Sequence, residues 1–288
     1  MTGILYFEPN MSLFISSLNS GSNGNCYYIG NHEEAILVDA GISCLEIERR
    51  MKRLGLAMDK VKAIFVSHEH SDHINGIPVL ARRYQLPVYI TSDTYKHSKF
   101  HLGMHLVRSF KAHEPVAVGS LVITAFPKWH DAVDPHSFIV GGGGVTVGIF
   151  TDIGKPCDEV ISHFKQCNAV FLETNYDEQL LANGSYPIYL KKRIQGEKGH
   201  LSNTQALELF LAHRPSHMSH VLLAHLSKEN NAPEIVESLF AMHAGNIKII
   251  HASRDQETAV YQIQSGMMPV PRVVRPKQES RHTQLSLF

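Results

Sequence analysis

The chain of 288 residues has few cysteines, one tryptophan and no formal net charge, since 27 Lys and Arg balance 27 Asp and Glu. Cys26, Cys44, Cys157 and Cys167 form no C-x-x-C pair, which excludes a disulfide framework and a thiolate metal site. Cys26 and Cys167 read as small core residues beside strands. Charge balance excludes a strong bulk attraction to polyanions, while leaving room for a local basic groove. No apolar run approaches the roughly 20 residues of a membrane span. Residues Met1–Asn10 lack a basic n-region and a cleavage site, so no secretory signal is expected, and Met11 is an alternative start. Together these absences predict a cytoplasmic protein with no membrane segment.

Histidine, by contrast, is plentiful, with 19 copies. Three fall in His68-Glu69-His70-Ser71-Asp72-His73, just after the apolar run Ala63-Ile64-Phe65-Val66. Side chains two apart in an extended or tightly turning segment point the same way, so His68 and His70 can share one metal. Asp72 and His73, where the chain turns into a helix, can reach a second. Imidazole and carboxylate suit zinc, manganese or iron, and two such cations close together suit hydrolysis.

Strands are expected at Ser12–Leu18, Cys26–Gly30, Ala35–Asp39, Ala63–Ser67 and Val88–Thr91, with helices at Cys44–Leu54 and Ile77–Tyr84. The second half repeats the rhythm. Strands are expected at Leu121–Phe126, Phe138–Val140, Val145–Phe150, Ala169–Glu173, Val221–Ala224, Ile247–His251 and Thr258–Gln262. Helices are expected at Glu159–Lys165, Thr204–His213 and Pro233–Met242. Two rounds of strands followed by β-α units predict an α/β fold, a four-layered αββα sandwich with two sheets face to face and helices outside. His130, Asp152 and His225 each follow one of these strands, where rigid side chains can converge on one edge. Residues 12–262 read as one hydrolase domain. Residues 263–288 read as a linker, extended over Ser265–Thr283, and a tail.

The H-x-H-x-D-H motif followed by His130, Asp152 and His225 resembles the metallo-β-lactamase superfamily. Gly21-Ser22-Asn23-Gly24-Asn25-Cys26, His130-Asp131-Ala132-Val133-Asp134-Pro135, Gly199-His200-Leu201-Ser202-Asn203 and His225-Leu226-Ser227-Lys228-Glu229-Asn230-Asn231 are similar to its YycJ/WalJ exonuclease-like branch. The resemblance covers about Ser12 to Gln262. It implies His68, His70 and His130 on one divalent metal, zinc or manganese, and Asp72, His73 and His225 on the other, with Asp152 bridging. Asp152 stands where some β-lactamases place cysteine, which speaks against a thiolate-containing antibiotic hydrolase.

The implied activity is a dinuclear phosphodiesterase, a 5′→3′ DNA exonuclease in which Asp72 helps to orient the attacking water. The same ligand set also fits a thioester or lactone hydrolase of the glyoxalase II type, and a metal-bound scaffold without turnover is a third reading. His200, just before a helix where backbone N–H groups favour phosphate, is the candidate for serving the leaving group. Ser202, Asn203, Ser227, Asn230 and Asn231 are expected to meet the substrate. Lys191-Lys192-Arg193-Ile194-Gln195-Gly196-Glu197-Lys198 is a locally basic stretch that can track a nucleic-acid backbone, though a solvated helix face fits it equally. Glu173 can be a carboxylate that orients a ligand or one that faces water. Finally, Gln284-Leu285-Ser286-Leu287-Phe288 resembles the short motif by which bacterial polymerases and DNA repair proteins bind the sliding clamp. Gln284 would meet a pocket rim, and Leu285, Leu287 and Phe288 would supply apolar contacts.

Overall fold

The structure, a computed structural model, describes residues 12–265. Met11, nearly all of the linker and the clamp-like tail (Gln284, Leu285, Leu287, Phe288) lie outside the described residues. Three strands open the fold: β1 (Ser12–Asn19), β2 (Cys26–Gly30) and β3 (Ala35–Val38). Helix α1 (Cys44–Arg53) leads to β4 (Val61–Phe65), and the His-rich segment then turns through α2 (Ser71–Ile74) into α3 (Ile77–Tyr84). Next come β5 (Val88–Tyr89), α4 (Ser92–His97) and β6 (Val107–Arg108). The second half begins with β7 (Val116–Val118), β8 (Leu121–Pro127), β9 (His136–Gly142) and β10 (Val145–Phe150). It continues through α5 (Asp158–Phe164), β11 (Ala169–Glu173), α6 (Glu178–Asn183), α7 (Ile188–Gln195) and α8 (Asn203–His213). It closes with β12 (His220–Ala224), α9 (Pro233–Ala241), β13 (Lys248–His251) and β14 (Tyr261–Gln264).

The strands form two seven-stranded sheets, ordered β14-β1-β2-β3-β4-β5-β6 and β13-β12-β11-β10-β9-β8-β7. In each, antiparallel strands give way to parallel ones, at β3–β4 in the first and β10–β11 in the second. Alternation along each strand divides the core in three. Tyr27, Ile29, Ile36 and Val38 face Phe171, Leu222, Val147 and Val140 between the sheets. Tyr28 and Leu37 pack outward against Ile47 and Met51 of α1 and Leu80 of α3. Val170, Leu172 and Val221 pack outward against Phe164 of α5, Phe210 of α8 and Phe240 of α9. Strands buried on both faces read as continuous apolar runs, which is why the expected αββα sandwich was visible in the sequence. Aromatic pairs tie the sheets together behind the strand ends. Tyr27 meets Phe171 with ring centroids 4.8 Å apart, and Phe65 meets Phe138 edge-on at 5.8 Å. Such pairs contribute about 0.5–1.5 kcal/mol beyond the area they bury.

Strand β9 is longer than expected and β5 shorter, and β6 and β7 were not expected; β4 and β14 are shifted, each where a side chain replaces a ladder partner. Strand β4 ends before Ser67, whose N–H and hydroxyl both donate to the Asp39 carboxylate at 2.8 Å. Strand β14 starts at Tyr261 rather than Thr258, whose hydroxyl accepts from the Ser17 N–H at 3.0 Å. Helix α7 buries none of its residues, so it leaves no apolar stripe to read. Among the described residues no helix is long and apolar enough to cross a membrane.

Candidate metal centre

The C-terminal ends of β3, β4, β8, β10, β11 and β12 open on one edge of the sandwich. Three residues there leave their strands in the left-handed region: Asp39 (φ 59°), Asp152 (φ 55°) and His225 (φ 58°). That conformation costs a non-glycine residue about 1–2 kcal/mol, and Asp and His are among the residues that enter it more readily. The turn after β3 also brings backbones together: a Cβ on Gly41 would stand 1.7 Å from the Asp72 carbonyl oxygen. Nearby, the Asn25 N–H donates to that same oxygen at 2.7 Å, so the glycine- and asparagine-rich turn after β1 holds the His-rich segment in place.

Four of the imidazoles are fixed by their outer nitrogens. His73 Nδ1 donates to Asp39 at 2.7 Å. His130 Nδ1 donates to the Gly199 carbonyl at 3.1 Å, and His225 Nδ1 donates to Glu173 at 3.0 Å. Ser67 gives its hydroxyl proton to Asp39, so it accepts from His68 Nδ1 at 2.9 Å. The Nε2 atoms of all four rings are thereby left for the interior of the site, where an orienting partner also raises ligand basicity. His70 turns the other way, with Nδ1 3.3 Å from His130 Nε2.

The inward atoms form overlapping groups whose members lie within 4.8 Å of one another: His68, His70 and His130; Asp72, His73 and His225; and His68, His73 and Asp152. Asp152 lies between the first two, with Oδ2 3.2 Å from His73 Nε2. Its Oδ1 is 3.6 Å from His225 Nε2 and 3.8 Å from His130 Nε2. Buried as they are, His68 Nε2, His225 Nε2 and Asp152 Oδ2 have no hydrogen-bond partner. Unpaired buried polar atoms are costly, and three converging on one space fit a cation between them. His70, Asp72 and His200, with side chains 30%, 20% and 20% exposed, form the open side.

Carboxylates dominate the electrostatics. Burial opposes ionisation of Asp152, yet His225 and His73 beside it hold its carboxyl well below the usual range. Burial likewise opposes the charge on His73, but Asp152, Asp39 and Asp72 raise it to about 10. Glu173 is brought down to about 2 against its burial, chiefly by His200. Burial depresses His68 well below its usual value and His130 to about 3. Without metal, then, protons on His73 and His225 supply positive charge among the acids; bound cations would supply it instead and displace those protons.

The structure brings His68, His70, Asp72, His73, His130, Asp152, His225 and His200 together at this edge. Glu173, fully buried, accepts from His200 Nδ1 at 2.8 Å and His225 Nδ1 at 3.0 Å through one oxygen. Its other oxygen takes the Ile153 N–H at 2.7 Å. It orients two rings and does not face water. The residues expected to meet substrate are placed otherwise. Ser202 caps α8 in a reciprocal capping box with Gln205. Asn203 and Asn231 are buried and pair amide to amide at 2.8 and 3.0 Å. Asn230 is buried, and Ser227 Oγ accepts from its backbone N–H at 3.2 Å. Asn203 and Asn231 thus tie the loops after His200 and His225 together, while Ser227 is half-buried and the buried Asn230 Oδ1 has no hydrogen-bond partner. Two participants were missed. Asp39 had a local signal, an acid ending an apolar strand. Lys128 is buried and donates to the Thr151 carbonyl at 2.7 Å, directly before Asp152.

Comparison with known proteins shows the family. The family model of the β-lactamase superfamily domain matches residues 34–225. Exodeoxyribonuclease YycJ of Bacillus anthracis is 35% identical over 228 residues, 78% of this chain and 86% of its own. Exodeoxyribonuclease WalJ of Streptococcus pneumoniae is 32% identical over 225 residues, 76% of this chain and 84% of its own. Among solved structures, the metallo-β-lactamase fold protein YhfI from Bacillus subtilis superposes with a TM-score of 0.67 at 18% identity, covering 87% of this chain and 99% of that one. At that identity the likeness is one of fold.

Proposed function

This chain belongs to the metallo-β-lactamase superfamily and is a metal-dependent hydrolase; from that premise we propose that it is a dinuclear 5′→3′ DNA exonuclease. The observation that carries the reading is the inward set of donors in two triads with Asp152 between them. His68, His70 and His130 would hold one divalent cation, Asp72, His73 and His225 the other, and Asp152 would reach both. Imidazole and carboxylate without thiolate favour zinc or manganese. When bound, such a pair supplies an activated water and positive charge at the reacting phosphate.

The remaining work falls to side chains. Asp72, partly exposed, with Oδ2 3.5 Å from both His73 Nε2 and His225 Nε2, would orient the attacking water. Glu173 holds the Nδ1 proton of His200; as the imidazolium, with Nε2 also protonated, His200 would give its Nε2 proton to the departing oxygen and be left as the neutral Nδ1–H ring. The relatives named exodeoxyribonuclease support DNA as substrate. Incubated with a divalent metal, the protein is expected to release labelled mononucleotides first from 5′-labelled DNA and only late from 3′-labelled DNA. Intact DNA alongside hydrolysis of a glutathione thioester would overturn the reading.

We also propose that Gln284, Leu285, Leu287 and Phe288 bind a bacterial sliding clamp, a partner that would concentrate the enzyme on DNA without a strongly basic surface. Burying the two largest side chains would contribute roughly 3–6 kcal/mol before ordering costs. Deleting residues 284–288 is expected to abolish clamp binding in a surface-immobilised assay, and equal binding by both forms rules the idea out.

A further inference from the structure

We propose that Trp129 is a stacking platform for an unpaired nucleobase of the strand entering the site; this rests on the nuclease reading and names the single-stranded form as what the entrance accepts. The lone tryptophan of the chain is 43% exposed. It directly precedes His130, which is 2% exposed. Its carbonyl accepts from the Gly154 N–H at 2.7 Å, so its backbone joins the loop of His130 to the loop of Asp152. A large ring left in water beside two donor-bearing loops is the informative kind of exposure.

Positive charge accompanies the ring. Lys155 Nζ stands 4.2 Å from its centroid, and Lys155 is steadied by Glu197 at 3.0 Å. Next to His130, Asp131 pairs with Arg193 of α7 at 2.5 Å, which fastens that helix to the same rim. One turn before Arg193 on the same face, Tyr189 is 74% exposed. Lys192 is exposed on the same helix. An exposed aromatic ring on the loop before His130, with one ammonium group beside it and a basic helix carrying a second exposed ring on the same rim, matches how sequence-tolerant proteins hold single strands. Every base offers a π-face, and cations track the phosphates. Base-paired DNA buries those faces within its stack, so the platform serves a terminal base already unpaired.

Because Trp129 is the only tryptophan, it reports on its own contact. The full-length, metal-loaded protein is titrated with a hydrolysis-resistant phosphorothioate oligothymidylate and with an abasic oligomer of equal length and charge. The oligothymidylate is expected to quench the fluorescence and bind more tightly, while the abasic strand leaves the emission unchanged. By anisotropy of labelled strands, Trp129→Ala is expected to weaken oligothymidylate binding about 5- to 150-fold. Its affinity for the abasic strand should change little, and Trp129→Tyr should recover most of the loss. Equal quenching by both strands, or unaltered base-dependent affinity in Trp129→Ala, overturns the proposal. Should Trp129→Ala fail to fold, the comparison of the two strands on the unaltered protein decides alone. DNA cleavage without base-dependent quenching sinks the platform and spares the nuclease reading. Base-dependent quenching without cleavage of any phosphodiester sinks the nuclease reading and spares the platform.

Discussion

Asp152→Ala is expected to cut exonuclease turnover by about 10³-fold and to leave at most one tightly bound metal per chain. The size follows from the several kcal/mol of charge stabilisation assigned to metal ions in phosphoryl transfer, at tenfold per 1.36 kcal/mol. Asp152 is the one residue whose two oxygens face both groups of donors, at 3.2 Å from His73, 3.6 Å from His225 and 3.8 Å from His130. Its removal leaves each triad with its own donors but nothing shared. His73 and His225, both buried, also lose a counter-charge. Metal analysis after gel filtration and single-turnover digestion of labelled DNA measure the two effects. Asp152→Asn separates charge from shape should the alanine variant unfold. Two tightly held metals with full turnover in the variant would refute the bridging role.

His200→Ala is expected to lower kcat by about 10²–10⁴-fold, the range for general acid–base catalysis, while metal content stays unchanged. His200 lies in a fourth group of close donors with Asp152, Glu173 and His225, so a ligand role is the competing assignment. The hydrogen bonds distinguish the two. His225 directs Nε2 to within 3.5 Å of Asp72 and 3.6 Å of Asp152, as a ligand should. His200 Nδ1 is held by Glu173 at 2.8 Å and stands 3.9 Å from Asp152, with its side chain 20% exposed toward the opening. A fall in metal content would make His200 a ligand and require a new role for His225. Unchanged kcat would remove it from the chemistry altogether.

What could be read from sequence was what is local. The His68–His73 segment carries four donors within six residues, and strands such as β10 and β11 declare themselves because both faces are buried. The unread parts depend on partners far along the chain. Glu173 could not be assigned between water and imidazole, since His200 and His225 lie 27 and 52 residues away. Asp39 gains its role only when β3 pairs with β4 and brings Ser67 beside it. Asn203 and Asn231 were expected at the substrate because polar residues beside a motif invite that reading. Asn203 and Asn231 instead satisfy each other across 28 residues. Helix α7 has no apolar stripe, yet its ion pair with Asp131 fastens it to the rim.

The two sheets divide the donors between them. His68, His70, Asp72 and His73 follow β4 of one sheet, and His130, Asp152 and His225 follow β8, β10 and β12 of the other. A cation seated here would therefore be a rivet through two half-shells, because neither sheet carries a complete set of donors. Its binding free energy would add to the docking of one sheet on the other, growing with the free metal concentration relative to its dissociation constant. Slippage between the sheets, even where it spares each sheet's own ladder, would pull the donors out of reach. The spacing of the metal site thus acts as a gauge of how the two sheets are aligned, and a substitution in the apolar layer between them can silence the enzyme without touching a single ligand.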